Sequence, residues 1–146
     1  MTAATAGNTS SRSRSLPLWL VAIGAVVVGA IAAELVAVIG RALDVQVIAG
    51  DPPAEIPVSG FATATLISGA LGVVLALVLA KWAKHPARTW TITTVVLTAL
   101  SMATPLTAGP VPASSKVLLA VGHLVAAAVI IPVIAWRLQA EEVEHC

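Results

Sequence analysis

The sequence predicts an all-α protein, a polytopic membrane four-helix bundle with both termini cytoplasmic. Three observations carry that prediction. Of the 146 residues, 58% are hydrophobic and only 10% are charged, whereas a soluble domain carries about 25% charged residues to keep its surface wet. The apolar residues gather into four long runs. The basic residues fall mostly on one side of those runs, as the positive-inside bias requires.

The elements follow in order. Residues 1–15 are polar, rich in Ser and Thr, and carry Arg12 and Arg14, a composition that predicts a disordered cytoplasmic tail. The first apolar run, about 16–40, is too long for the roughly 7–15 residue core of a cleavable signal peptide, so it predicts a retained helix. Further runs at about 58–80, 90–106 and 117–136 complete one four-helix domain over 16–138, and 139–146 reads as an acidic C-terminal tail. A helix crossing about 30 Å of hydrocarbon needs about 20 apolar residues. The first, second and fourth runs meet that length. The third carries Thr91, Thr93, Thr94, Thr98 and Ser101, but hydroxyls that bond their own helix carbonyls are tolerated in lipid far better than charges.

Orientation has two tests. With both termini inside, Arg12, Arg14, Lys81, Lys84, Arg88 and Arg137 are cytoplasmic, and only Arg41 and Lys116 lie outside. Trp19, Trp82, Trp90 and Trp136 each fall at the cytoplasmic end of a different span, where an indole ring sits half buried with its N–H wet. The first outer loop, 41–57, holds Asp44, Asp51 and Glu55 among three prolines and is expected to be acidic and stiff; the second, around Pro105, Gly109, Pro110 and Pro112, is also proline-rich.

Packing signals are concentrated in the second run. Gly60, Ala64, Ser68, Gly72, Ala76 and Ala80 recur every four residues, a small-residue face that lets backbones approach closely. It predicts contact with another helix of the same chain or, as a homo-oligomer, with a second copy. Pro132 is expected to bend the last helix.

Only Glu34 and His123 are ionisable within the four runs. At 1.5 Å per residue both lie about 9 Å below the outer end of their span, level with Thr65 and Thr98. A carboxylate at that depth is costly unless paired, hydrated or protonated. Glu34 therefore needs His123 as partner, or Arg41 to snorkel toward, or protonation and a bond to Thr65 or Thr98. Glu34 and His123 are the candidate catalytic residues, Thr65 and Thr98 the candidate ligand contacts.

No GxSxG, HExxH, P-loop or dinucleotide fingerprint is present, and the single cysteine, Cys146, excludes CxxC redox chemistry and an intrachain disulfide. No cofactor and no metal are expected: Glu141, Glu142, Glu144, His145 and Cys146 read as a mobile acidic tail. A net charge of +1 gives no reason to expect nucleic acid. The basic stretch Lys81, Lys84, His85 and Arg88 fits anionic lipid headgroups.

The stretch GHLVAAAVIIPVIAWRL at 122–138, with a Glu late in the first span and a Pro/Gly-rich third loop, resembles a family of uncharacterised four-helix integral membrane proteins of actinobacteria. The resemblance implies four spans in a bacterial cytoplasmic membrane and names no activity. Two classes of function fit these residues. One is a structural or complex-associated bundle whose partners are membrane lipid and an apolar small molecule. The other is a membrane-embedded enzyme using Glu34 and His123 as an acid–base pair on an isoprenoid-like or lipid-like substrate. A third, proton-coupled transport, is suggested by similarity to small multidrug transporters, which also have four helices and a Glu in the first. Against it, Glu34 lies nearer one face than the midplane, the chain has no tyrosine, and the charge bias fixes one orientation.

Overall fold

A computed structural model describes residues 16–49, 52, 54–103 and 111–144. The predicted N-terminal tail, Asp51, the Pro105–Pro110 stretch, His145 and Cys146 lie outside the described residues. The protein is all-α, and its described residues form a bundle of four helices: α1 (Leu18–Ala42), α2 (Ser59–Trp82), α3 (Pro86–Ser101) and α4 (Ala113–Glu144). Between α1 and α2, two two-residue strands, β1 (Ile48–Ala49) and β2 (Ala54–Glu55), pair antiparallel with Ile48 opposite Glu55. Helices α1, α2 and α4 are long and apolar enough to cross a membrane. Helix α3, of 16 residues, spans about 24 Å.

Helix α1 is the central element, packing on both α2 and α4. Its buried face is almost entirely small: Ala22, Ala25, Gly29, Ala30, Ala33, Ala37 and Gly40. Ile130 of α4 lies where a side chain on Gly29 would go, and Leu118 where one on Gly40 would go. The α2 approach is equally close, with Val26 of α1 seated over Gly69. Lipid offers little hydrophobic drive for helix association, so backbone proximity and the dispersion contacts it permits hold such a bundle together. The small stripe expected on α2 is used only at its inner end. Ala76 is fully buried, whereas Ala64 and Ser68 are exposed, because the contact with α1 is centred on Gly69, one position off that stripe.

Helix α1 ends in a Schellman motif. Asp44 N–H donates to the Arg41 carbonyl at 3.1 Å, Val45 N–H donates to the Gly40 carbonyl at 3.0 Å, and Asp44 has φ of 58°. Glycine is the usual residue there because it adopts this conformation at no steric cost. Asp44→Gly is therefore expected to raise the stability of the folded protein by up to about 1 kcal/mol, read as a higher midpoint in a thermal or detergent unfolding titration.

The outer loop is folded back on the bundle. Val47 is buried against Ala33, Ala37 and Phe61. The buried Ser115 hydroxyl donates to the Gln46 carbonyl at 2.6 Å and accepts from Ile48 N–H at 3.4 Å. Arg41 pairs with Glu55 of β2, so the guanidinium considered as a snorkelling partner for Glu34 is engaged elsewhere.

Two expectations need correcting at the inner end. Trp19, Trp82 and Trp136 are exposed, at 49%, 73% and 67%, but Trp90 is 1% exposed. Its indole N–H donates to the Ile131 carbonyl at 3.1 Å. The reason is the very short connection after Trp82: α3 starts at Pro86, four residues earlier than its apolar run suggested, which carries Trp90 into the bundle. The second concerns the acidic tail, which is helical to Glu144. Glu141 pairs with Arg137 one turn back, and Glu142 accepts from Ala87 N–H at the start of α3, where free amide donors and the helix dipole favour a carboxylate.

Candidate ligand groove

Helices α2, α3 and α4 do not close on one another completely, because α3 packs chiefly on α4. The space between them is a groove of about 370 Å³. Gly69, Gly72 and Leu75 of α2, Thr94, Leu97, Thr98 and Ser101 of α3, and His123, Ala127 and Ile130 of α4 line it. Trp90 fills its inner end. The groove exists because its walls are cut from small residues: a side chain at Gly72 would meet only the far edge of the Trp90 ring, at 3.7 Å, and Ala127 leaves room on α4.

The groove is apolar with a row of hydroxyls along α3, all bonded to the helix behind them. Thr94 donates to the Trp90 carbonyl at 2.7 Å, Thr98 to Thr94 at 2.8 Å, and Ser101 to Thr98 at 2.7 Å. Ser68 on the α2 wall donates to the Ala64 carbonyl at 2.8 Å. This back-bonding is what lets a threonine-rich helix stand in an apolar setting. On α4, His123 Nδ1 is 3.2 Å from the Leu119 carbonyl. A carbonyl has no proton to give, so Nδ1 carries one, and in the neutral ring Nε2 keeps a free lone pair.

Of the four residues singled out from the sequence, His123 and Thr98 line this groove together. Thr65 is buried on α2, its hydroxyl donating to the Phe61 carbonyl at 2.8 Å, and it lines none of the cavities described. Glu34 is half-buried on the flank of α1's small-residue face, between Ala30 and Ala37. It makes no hydrogen bond or ion pair among the described residues and lines none of these cavities. Trp90, Thr94 and Ser101 are among the groove residues that depth alone did not single out. The signal available for them was the spacing of Trp90, Thr94, Thr98 and Ser101, in steps of four, four and three, which places them on one face of α3.

Two more cavities lie at the ends of the bundle. At the outer end, Arg41, Asp44, Gln46 and Glu55 surround about 450 Å³ under the β hairpin. At the inner end, His85, Arg88, Thr91, Gln139 and Glu142 surround about 480 Å³. Among the described residues no three His, Cys, Asp or Glu side chains gather as a metal site would require.

A family model described as a family of unknown function (DUF6069) matches residues 13–140. No curated protein and no solved structure matches the chain.

Proposed function

The chain belongs to this family of unknown function, and we propose that it is a polytopic protein of the bacterial cytoplasmic membrane, both termini inside, which holds a lipid or other apolar small molecule in the groove between α2, α3 and α4. The observation that carries the binding role is the groove itself: an apolar trough of about 370 Å³ with polar groups at defined positions and an indole closing one end. Concave, mostly apolar sites with a few placed polar groups are what small-molecule binding requires.

The membrane setting rests on the outer surface. Ile31, Leu35 and Ile39 of α1, Ile67 and Val74 of α2, and Val95 and Leu100 of α3 all point outward and are more than half exposed. Such a continuous apolar surface calls for lipid as its solvent. Helix α3 is the fourth span in this reading. It is short, but its hydroxyls are internally bonded, and a thinner local bilayer or the neighbouring helices accommodate the difference. The basic inner loop and the exposed Trp19, Trp82 and Trp136 support cytoplasmic termini. The acid–base reading of Glu34 with His123 has less support, since only His123 borders the groove.

The test is to fill the groove. The first side-chain carbon at Gly72 would meet only the Trp90 ring edge, at 3.7 Å, so a leucine there is expected to extend into the trough. The wild-type protein, purified in mild detergent and sprayed intact into a mass spectrometer, is expected to retain a bound apolar molecule, and Gly72→Leu to lose it while unfolding at a similar temperature. Equal retention by the two proteins, or a wild type that carries nothing after reconstitution with total bacterial lipid, would overturn the binding role.

A further inference from the structure

Resting on the binding role of this groove, we infer that its ligand is a neutral apolar molecule that donates a hydrogen bond, an elongated alcohol, and that the groove discriminates against ethers, esters and ketones of the same shape. Among the described residues, six polar side chains line the groove: Ser68, Trp90, Thr94, Thr98, Ser101 and His123. Each already donates its proton inside the protein. The four hydroxyls donate to carbonyls of their own helices, the indole N–H to the Ile131 carbonyl, and His123 Nδ1 to the Leu119 carbonyl. What they present to the groove is lone pairs: the hydroxyl oxygens and, in the neutral imidazole, Nε2. No Lys, Arg, Asn, Gln or Tyr supplies a donor.

A ligand whose polar group only accepts hydrogen bonds would meet acceptors and leave its own group unpaired in an apolar site, which is a strong basis for rejection. A donor is matched. A protonated amine also donates, but no carboxylate lines the groove to balance its charge, and an uncompensated charge in an apolar setting is costly. That leaves the hydroxyl group. Ser101, Thr98 and His123 lie toward the outer end and Trp90 at the inner end, so the hydroxyl is held outward and the tail runs inward. The eleven steps of helix from Trp90 to Ser101 give the trough a length of about 16 Å, which suits a chain rather than a compact ring.

The experiment uses the full chain in detergent micelles with Trp19→Phe, Trp82→Phe and Trp136→Phe, three exposed positions, so that Trp90 alone reports. The probes are dodecanol brominated at the end of its chain and the methyl ether of the same compound, titrated separately. Bromine reaching the inner end of the groove quenches Trp90, which is otherwise shielded from the micelle. The alcohol is expected to quench with an apparent affinity about tenfold or more tighter than the ether. Thr98→Val with His123→Leu should bring the two probes together by weakening the alcohol. Saturable quenching by both probes with equal affinity overturns the alcohol assignment and leaves the groove as an apolar site. Failure of both probes to quench beyond what Gly72→Leu shows overturns the binding role, and the assignment with it.

Discussion

Trp90→Ala is expected to lower the stability of the folded bundle by about 3 kcal/mol, the low end of the range for truncating a buried tryptophan. Trp90 is one of the largest fully buried side chains, and it stands in one cluster with Leu18 and Ala22 of α1, Ala76 of α2, and Ile134 and Leu138 of α4. All four helices therefore meet around it. The size of the effect depends on what the unfolded reference is. In a micelle, separated helices stay solvated by detergent tails, so the gain from moving an indole out of water is largely absent. The void left behind is not, because Ile134 and Leu138 lose their contacts whatever the solvent. Trp90→Phe separates the two contributions. It keeps most of the volume and removes the N–H that donates to Ile131, so its cost should be near 1 kcal/mol or below. An SDS unfolding titration in mixed micelles, monitored by circular dichroism, gives both values. Equal losses in the two variants would mean that the hydrogen bond, not the packing, is what the indole contributes.

The same residue shows which parts of this protein are legible in its sequence. The apolar runs identify four helices because hydropathy depends on composition alone, and α1 and α2 begin and end within two residues of their runs. The expectation that put His123 and Thr98 at one level rests on counting residues along the runs, and the two do line one groove. Rotation about a helix axis is not legible, because a helix that is apolar all round has no amphipathic phase to read. Hence Glu34 and His123, expected at one depth, share no described cavity, and Trp90 reads as interfacial although it faces inward. Small residues give the missing phase only in part. The four-residue repeat on α2 is conspicuous, yet the tightest contacts use Gly29 and Gly40 of α1 and Gly69 of α2, spaced less regularly and hidden among alanines. The C-terminal end was illegible for another reason. A short run of glutamates looks like a solvated tail until Arg137 and the first turn of α3 are known to stand beside it.

Arg137 supports the second large prediction, an order of effects rather than a single loss. Its side chain is only 7% exposed, whereas that of its partner Glu141 is 26% exposed. Nε donates to the Leu16 carbonyl at 2.8 Å, tying the entry of α1 to the end of α4, and Nη2 reaches Glu141 at 3.2 Å. Nη1 is buried with no hydrogen-bond partner among the described residues. Removing one member of an ion pair costs most when the member left behind stays buried. Glu141→Gln leaves the guanidinium enclosed without its countercharge, and Arg137→Met leaves a carboxylate that water already reaches. The Met variant also replaces an incompletely bonded cation by an apolar chain of similar length. Glu141→Gln is therefore expected to be the more destabilising substitution, by about 1 to 2 kcal/mol. Unfolding titrations of the two variants decide it. If Arg137→Met is the costlier single change, then the bond to Leu16 outweighs the ion pair, and this arginine acts chiefly as a clasp on the start of α1.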